Sequence, residues 1–225
     1  MGCILKGGGG LYSRVVIGAV LLAAGSGSRL GHRPKCLLEL GGVPLIRRTL
    51  VALSGAGVDE VVVVTGHHAD LIEPLVQDFP VTLVRNPDPD AGQVSSQRLG
   101  LAALTGKLDA VVVALADQPL LGAADITALI GAWKKRPEGT DVVVPHVGER
   151  RGNPVIFSAA VRDAVLAGGS DFGARQWQDA HPDRVAPFAT DVRRYVVDID
   201  TPDDLERFGR ETGHVLRWPA AVAAG

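Results

Sequence analysis

Residues 15–35 read VVIGAVLLAAGSGSRLGHRPK, and this stretch decides how the rest of the chain is interpreted. It begins with an apolar run over 15–22 that is short and rich in β-branched residues, which predicts a strand buried on both faces, as in a parallel sheet. The small residues 23–28 follow, where the backbone can come close to a ligand. Arg29 and Lys35 lie within the same loop. Backbone N–H groups and two cations at the end of a buried strand favour the binding of a polyphosphate.

Other interpretations of this loop stay open. Gly25 and Gly27 followed by Gly31 resemble the dinucleotide fingerprint, but the third glycine comes one residue late. No Gly-Lys-Ser/Thr follows, as a P-loop would require. Because a glycine-rich turn after a strand is a weak signal by itself, a purely structural turn is an alternative.

The rest of the chain alternates strand and helix patterns at short spacing. Further strands are predicted at 60–65, 81–84, 109–115, 142–145 and 194–197. Helix patterns separate them, and Thr201 with Pro202 predicts the start of the final helix. This alternation predicts a single α/β domain, a doubly wound three-layer sandwich with a mostly parallel sheet. Ligands of such sheets bind outside the carboxyl ends of the strands.

Composition and charge limit the class of protein. The 225 residues carry a net charge of −2 with both signs spread along the chain, so neither nucleic acid nor a membrane surface is expected as a partner. The two cysteines, Cys3 and Cys36, do not suggest a disulfide framework, which favours a reducing cytoplasm. We expect residues 1–13 to be a flexible extension, 14–212 the folded domain and 213–225 a loose tail.

Carboxylates follow two of the predicted strands. Asp117 ends the strand at 109–115, where a carboxylate costs stability unless it binds something. Facing a phosphate-binding loop, it suits Mg²⁺, which takes one or two protein carboxylates and completes its shell with phosphate and water. Asp198 and Asp200 lie two residues apart at the end of the last predicted strand, so they share a face while the chain remains extended and could complete the metal shell. Helix capping is the alternative for Asp117, and a turn before Pro202 is the alternative for the pair.

Two motifs carry a resemblance to a known family. Residues 22–31 with Pro34-Lys35 resemble the signature of nucleotidyltransferases that activate a phosphorylated acceptor with a nucleoside triphosphate. The chain is most similar to the MobA-like NTP transferases, and among them to the molybdenum cofactor cytidylyltransferases. Residues 117–120, Asp-Gln-Pro-Leu, resemble the metal-aspartate motif of that branch. The lysine usually follows the arginine slightly sooner, so residues 32–33 are a small extension here.

The resemblance implies a fold of the nucleotide-diphospho-sugar transferase (Rossmann-like) type and a set of site residues. It implies Arg29, Lys35 and Asp117 as catalytic, and Asp117 with Asp200 as ligands of Mg²⁺. The implied nucleotide-binding residues are Leu22, Ala23, Ala24, Gly25, Ser26, Gly27, Gly66, Gly92 and Ser96. The implied acceptor-binding residues are Gly152, Asn153, Pro154 and Arg175. Asn153 stands where the branch has histidine, which puts the identity of the acceptor in doubt because asparagine cannot titrate.

The activity implied is transfer of CMP from CTP to the terminal phosphate of molybdopterin or molybdenum cofactor, with release of pyrophosphate. A molybdoenzyme or its chaperone is the implied partner. Three alternatives stay open: another triphosphate such as GTP with a different phosphorylated acceptor, an NAD(P)-dependent oxidoreductase, and a non-catalytic cofactor-binding chaperone. The oxidoreductase needs an acidic residue after the second strand to bind ribose, whereas that strand ends in Val64-Thr65-Gly66. Some MobA-like proteins nonetheless carry an oxidoreductase assignment.

Overall fold

Seven consecutive buried residues, Ile17–Ala23, form strand β1 in the interior of the main sheet. The computed structural model describes residues 14–223, and the extension predicted for residues 1–13 lies outside the described residues. Ala19 and Leu21 of β1 belong to one hydrophobic cluster, and Val20 and Leu22 belong to another. Since successive side chains of a strand point to opposite faces, β1 is covered on both sides, as its continuous apolar run predicts.

The main sheet is mixed but mostly parallel. Its strand order is β10-β7-β9-β6-β1-β4-β5, with β8 paired to β7, and β9 runs antiparallel between β6 and β7. A second, three-stranded sheet has the order β11-β2-β3. The strands are β1 (Ile17–Ala23), β2 (Glu39–Leu40), β3 (Val43–Pro44), β4 (Glu60–Thr65), β5 (Thr82–Arg85), β6 (Ala110–Leu115), β7 (Val142–Val147), β8 (Arg150–Arg151), β9 (Val155–Ser158), β10 (Val185–Ala189) and β11 (Leu216–Arg217).

Helices cover both faces of the main sheet, so the three-layer α/β prediction is confirmed. Residues of α1 and α4 belong to the cluster of Leu21, and residues of α3, α5 and α6 belong to the cluster of Val20. The helices are α1 (Leu45–Gly55), α2 (Ala69–Ile72), α3 (Gln93–Ala103), α4 (Ala123–Lys134), α5 (Ala159–Ala167), α6 (Ala174–Ala180), α7 (Pro202–Thr212) and α8 (Ala220–Ala223). None of the helices within residues 14–223 has the length and apolar character needed to cross a membrane.

Helix α3 lies unusually close to the sheet because residue 100 is glycine. A Cβ at Gly100 would lie 2.4 Å from Cγ1 of Val20 and 2.8 Å from Cγ2 of Val64. The absence of a side chain therefore lets α3 pack directly on β1 and β4. This packing brings the first turn of α3 to the end of the sheet where β1 terminates.

The predicted strand at 194–197 is wrong, and an edge strand was missed. Residues 193–196 form a turn of 3-10 helix, in which the Tyr195 hydroxyl donates to the Asp125 carbonyl oxygen at 2.6 Å. The Tyr195 carbonyl oxygen accepts from the backbone N–H of Asn153 at 2.8 Å and from the side-chain amide of Gln118 at 3.0 Å, so its partners are a loop and a side chain instead of a neighbouring strand. The missed strand, β10, contains Pro187 and is only partly buried, and proline is tolerated at a sheet edge.

The loose tail expected after residue 213 is partly ordered instead. Strand β11 pairs with β2, and the Arg33 guanidinium lies 4.4 Å from the centroid of the Trp218 ring. A third hydrophobic cluster lies at this small sheet and includes Leu30, Ile199 and Phe208. These contacts join the loop after β1 to α7 and to the segment before it, which no local sequence signal indicates.

Candidate active site

The carboxyl ends of three neighbouring parallel strands form one rim of the sheet. Ala23 of β1 pairs with Thr65 of β4, and Leu22 pairs with Leu115 of β6, so the three strands end at the same level. The loop that contains Gly25 and Arg29 follows β1, and Asp117 comes two residues after β6. Open α/β sheets bind their ligands at such a rim.

Four charged side chains that the sequence singles out meet at this rim. Lys35 Nζ lies 2.6 Å from Asp117 Oδ2 and 2.5 Å from Asp200 Oδ1. The guanidinium of Arg29 lies 3.3 Å from the other oxygen of Asp200. The two cations predicted to bind phosphate and the two carboxylates predicted to bind metal therefore form one network.

Burial and neighbouring charges shift two protonation equilibria in this network. Burial acts to lower the pKa of Lys35, but Asp117 and Asp200 outweigh it, so the net pKa is raised and the ammonium form is favoured. The pKa of Asp198 is raised by burial and by the nearby charges of Asp117 and Asp200. Asp198, which the sequence offers together with Asp200 as a candidate metal ligand, lies on the wall of the same cavity.

The backbone around Asp200 is held by the start of α7. One carboxylate oxygen of Asp204 accepts from the backbone N–H of Asp200 at 3.0 Å and from that of Thr201 at 2.8 Å. The Thr201 hydroxyl in turn accepts from the Asp204 N–H, which completes a capping box. Burial acts to raise the pKa of Asp204, but these hydrogen bonds outweigh it and lower the pKa overall. The helix cap predicted at Thr201 thus also positions the predicted metal ligand.

The two carboxylates fit a divalent cation that is also bound to phosphate. Oδ1 of Asp117 is buried and has no hydrogen-bond partner among residues 14–223. Within that part of the chain, no group of three or more His, Cys, Asp or Glu side chains is arranged to hold a metal by itself. Mg²⁺ usually takes only one or two protein carboxylates and fills its shell with phosphate and water, which is the donor set present here.

A cavity of about 390 Å³ lies beside these charges. It extends between the loop after β1 and the first turn of α3. The predicted nucleotide-binding residues in its wall are Leu22, Ala23, Ala24, Gly25, Gly92 and Ser96, and Arg29, Lys35, Asp117 and Asp200 also line it. The small side chains leave room for a flat ligand beside the charged network.

The other three predicted nucleotide-binding residues support the loop and do not belong to the cavity wall. A Cβ at Gly66 would lie 2.8 Å from the Ala24 carbonyl oxygen, so the absence of a side chain lets the segment after β4 pack against the loop after β1. Gly27 has a φ of +63°, and a Cβ there would collide with the Arg33 carbonyl oxygen at 1.9 Å. The Ser26 carbonyl oxygen lies 3.0 Å from Nε2 of His68.

A second cavity of about 330 Å³ adjoins the first, and the two share Gln93 and Leu115. Three of the predicted acceptor-binding residues, Gly152, Asn153 and Arg175, lie in its wall, whereas Pro154 is buried outside that wall. The arrangement places the predicted acceptor side next to the predicted nucleotide side.

The second cavity contains a further cation that was not assigned a role from the sequence. Arg151 lines it and donates to the side-chain oxygen of Gln178. Burial lowers the pKa of Arg151, and the nearby charge of Arg175 lowers it further. Asp179 pairs with Arg175 at 3.2 Å and compensates part of this charge. Two guanidinium groups at one cavity with a single carboxylate partner favour an anionic ligand.

Gln118 connects the wall of the second cavity to the segment before Asp198. Its Nε2 donates to the Asn153 carbonyl oxygen at 3.2 Å and to the Tyr195 carbonyl oxygen at 3.0 Å. A Cβ at Gly152 would lie 2.6 Å from the same Tyr195 oxygen, so the two segments are in close contact. The residue after the predicted metal ligand therefore fixes the position of the predicted acceptor segment.

A protein family model matches most of this chain. Residues 19–185 match the model of the MobA-like NTP transferase domain. The chain belongs to this family. The family resemblance seen in the loop after β1 and in residues 117–120 is thereby confirmed.

Individual members of the MobA-like family and solved structures agree with this assignment. Nicotine blue oxidoreductase of Paenarthrobacter nicotinovorans is 33% identical over 193 residues, which are 84% of this chain and 94% of that protein. A nucleotidyl transferase from Methanothermobacter superposes with a TM-score of 0.70 at 30% identity, over 87% of this chain and 97% of its own. Rv0371c from Mycobacterium tuberculosis, solved in complex with manganese, superposes with a TM-score of 0.67 at 25% identity, over 86% of this chain and 97% of its own.

These similarities identify the chain as an enzyme, a nucleotidyltransferase of the MobA-like family, and they confirm the predicted fold type. Nucleotidyltransferases of this kind commonly use divalent metals, and one of the superposed structures contains manganese.

Sequence reasoning missed Asn86, which is bonded to Ser96 in the wall of the first cavity. It follows β5 directly, is 4% exposed and bonds to the side chains of Ser95 and Ser96. The sequence offers only a weak signal for it, because Asn86-Pro87 reads as one more turn former before α3 in this MobA-like chain.

Proposed function

We propose that this nucleotidyltransferase is a magnesium-dependent cytidylyltransferase that transfers CMP from CTP to the terminal phosphate of molybdopterin or molybdenum cofactor and releases pyrophosphate. The observation that carries the proposal is the charged network of Arg29, Lys35, Asp117 and Asp200, which lines the first of two adjoining cavities. The first cavity takes the nucleotide and the second takes the acceptor. We expect the reaction to take place in a reducing cytoplasm, in keeping with the buried free thiol of Cys36.

On the nucleotide side, the loop after β1 binds the triphosphate. The backbone of residues 23–25 lines the cavity without bulky side chains, so its N–H groups can approach phosphate oxygens. Lys35 and Arg29 neutralise charge that develops on the leaving pyrophosphate. Such fixed charges act before the reaction begins and do not need to reorganise during it.

Asp117 and Asp200 hold the divalent cation, which supplies charge neutralisation on the phosphates when it is bound. In the structure Lys35 contacts both carboxylates, so its ammonium group compensates two negative charges that are partly buried. We propose that Lys35 turns from these carboxylates toward the phosphates once nucleotide is present. The buried Oδ1 of Asp117 has no hydrogen-bond partner in the described part of the chain and is left for the cation.

On the acceptor side, Arg151 and Arg175 bind anionic groups of the acceptor, and Gly152, Asn153 and Pro154 shape the wall. An oxygen of the acceptor phosphate attacks the α-phosphorus of CTP. The new P–O bond forms as the bond to the pyrophosphate oxygen breaks, and the electron pair leaves with pyrophosphate. A phosphate monoester is already ionised near neutral pH, so positioning and electrostatics carry the step and no strong base is required.

Pyrophosphate release across substrate pairs tests the proposal. The chain is mixed with Mg²⁺ and each of CTP, GTP, UTP and ATP, with and without purified molybdopterin or molybdenum cofactor. We expect pyrophosphate only with CTP and the pterin together, and a cytidylated product by mass spectrometry. Turnover of GTP in preference to CTP, or of a sugar 1-phosphate in preference to the pterin, would contradict the proposal.

An oxidoreductase is the second candidate, because nicotine blue oxidoreductase is similar over most of this chain. The rim of the sheet does not favour it. After β4 the chain continues with Gly66 packed against Ala24, and the nearby carboxylate of Glu73 is already bonded to Thr65 and Arg85. A fluorescence titration with NADH and NADPH separates the candidates, because we expect no saturable binding at concentrations where CTP with Mg²⁺ binds.

A non-catalytic chaperone is separated from the enzyme by turnover. It would bind CTP or the pterin without producing pyrophosphate. The product would pass to a molybdoenzyme or to its chaperone, and co-purification of the cytidylated pterin with such a partner would support that route.

A further inference from the structure

Asn86 makes four hydrogen bonds, and the three made by its side chain fix the orientation of the amide. Its Oδ1 accepts from the backbone N–H of Asp88 at 3.0 Å, and its own backbone N–H donates to the Thr65 carbonyl oxygen at 2.8 Å. Its Nδ2 donates to Ser95 Oγ at 2.8 Å and to Ser96 Oγ at 2.9 Å. Because a backbone N–H can only donate, the amide oxygen must face Asp88 and the NH₂ group must face the two serines.

The hydroxyl protons of Ser95 and Ser96 differ in their hydrogen-bond acceptors. Ser95 donates its proton to the Gly92 carbonyl oxygen at 2.9 Å. Ser96 accepts from Asn86, and its proton has no acceptor within residues 14–223. Ser96 is 3% exposed and lies in the wall of the first cavity. With its lone pair directed to Asn86, the Ser96 hydroxyl is set to donate into that cavity.

We propose that Asn86 is a positioning residue that makes Ser96 a dedicated hydrogen-bond donor and so selects the base of the nucleotide. The preferred base presents an unprotonated ring nitrogen to Ser96, as cytosine does at N3. Uracil carries a hydrogen at N3, so two donors would face each other. This inference rests on the proposed function, because it assumes that the base of the triphosphate lies in the first cavity.

Binding constants for CTP and UTP in the presence of Mg²⁺ test the role of Asn86. We expect the wild-type chain to favour CTP by about tenfold or more, the size of one hydrogen bond exchanged for a clash of donors. In Asn86→Asp the carboxylate accepts from both serines, so Ser96 turns its lone pairs toward the cavity. The CTP/UTP ratio of this variant should fall by about tenfold or more.

Two further variants separate selection from structure. Asn86→Ala removes the constraint without adding a buried charge, and it should lower the CTP/UTP ratio by a smaller factor. This variant keeps the inference testable if Asn86→Asp does not fold. Ser95→Ala is the matched control, because it removes the other hydroxyl that accepts from the Asn86 amide. The Ser95 proton is already donated to the Gly92 carbonyl oxygen, so this hydroxyl does not donate into the cavity. We expect its CTP/UTP ratio to equal that of the wild type.

The outcomes distinguish this inference from the proposed function. An unchanged CTP/UTP ratio in both Asn86 variants, with both affinities weakened equally, would give Asn86 a merely structural role and overturn the inference. Equal binding of CTP and UTP by the wild type would overturn it as well. A wild type that prefers CTP, with a ratio that falls in the Asn86 variants, supports the inference even if the pterin is not turned over, and that result would contradict the proposed acceptor alone.

Discussion

At the scale of single residues, the site consists of charges that compensate one another across long stretches of chain. Lys35 contacts Asp117, which is 82 residues away, and Asp200, which is 165 residues away. Each of these residues is a candidate from its local motif. The motifs do not predict that these residues pair with one another. A local motif indicates which side chains follow a strand, but it does not indicate which of them are in contact.

Asp117→Ala should abolish most turnover. It removes the carboxylate whose buried oxygen has no partner among the described residues, and losing one preorganised charge at a reacting centre typically costs ~10²–10³ in rate. Pyrophosphate release measures the effect, and circular dichroism checks the fold. The matched control is Asp163→Ala, an exposed carboxylate on α5, whose rate should be that of the wild type. Near-normal turnover in Asp117→Ala would refute the role of this carboxylate.

Cys36 should be chemically inert despite its position beside Lys35. Burial, with a smaller contribution from Asp117, raises the pKa of the Cys36 thiol to about 12. Because the thiolate is the reactive form, alkylation at pH 8 should be roughly a thousandfold slower in the native protein than in the unfolded chain, where the pKa is ~8.5. Mass spectrometry of a Cys3→Ser variant isolates this thiol. Rapid native alkylation would show that the loop after Lys35 opens in solution.

At the scale of elements, helix ends and close packing bring the site together. The first turn of α7 holds the backbone of Asp200, and the glycine in α3 lets that helix carry Ser96 to the end of β1. The sequence predicts both helices. The sequence does not show that the cap of α7 and the glycine of α3 position the cavity wall.

Asp204→Ala should lower the free energy of unfolding by about 0.5–2 kcal/mol at pH 7, the usual cost of losing a helix cap. The pKa of Asp204 is lower in the folded state than its ordinary value of 3.8, so the native state favours the ionised form. Its contribution is therefore complete above about pH 4 and is lost as the pH falls through the lowered folded pKa. Urea denaturation at several pH values should show wild type and variant converging in acid. The neighbouring exposed residue provides the control, since Asp203→Ala should have a smaller effect.

Gly100→Ala and Gly131→Ala should change stability in opposite directions. A Cβ at Gly100 meets Val20 at 2.4 Å, so α3 must move and we expect a loss of about 1–3 kcal/mol. At Gly131, in α4, a Cβ meets nothing within 4 Å, so alanine should stabilise by about 0.5–1 kcal/mol through its helix propensity. Thermal or urea unfolding of both variants measures this. A neutral Gly100→Ala would mean that α3 does not rest on β1 as closely as described.

At the scale of the whole molecule, one mixed sheet brings the loops of distant segments to a single rim. The parallel strands β4, β1 and β6 end together there, and β9 inserts antiparallel between β6 and β7 beside the second cavity. Binding a triphosphate and a metal at this rim connects the loop after β1, the start of α3 and the segment before α7. Ligand binding should therefore stabilise the fold as a whole.

CTP with Mg²⁺ should raise the melting temperature. At a free concentration of about 100 times Kd, a ligand that binds only the native state stabilises it by about 2.7 kcal/mol. For a chain of this length that corresponds to a shift of about 5–10 °C, measured by differential scanning fluorimetry. Chelation of the metal and the Asp117→Ala variant should each reduce the shift. A shift that is unchanged after chelation would contradict metal-assisted binding of the triphosphate.

The sequence by itself determined the α/β class, most strands and helices, and the chemical identity of the charged residues. It could do so because a buried strand, a glycine-rich turn and a helix cap each leave a pattern within about ten neighbouring residues. It failed at 194–197, where a 3-10 turn places the Tyr195 carbonyl oxygen against Asn153 and Gln118, and at β10, whose proline resembles a break.

Only the tertiary structure decided that Lys35 lies between Asp117 and Asp200, that Asp198 and Arg151 join the cavities, and that Asn86 directs the Ser96 hydroxyl. These contacts depend on which segments the sheet and its packed helices bring together. The physical reason is that hydrogen bonds and ion pairs act over a few ångströms in space, so their partners have no fixed separation along the chain.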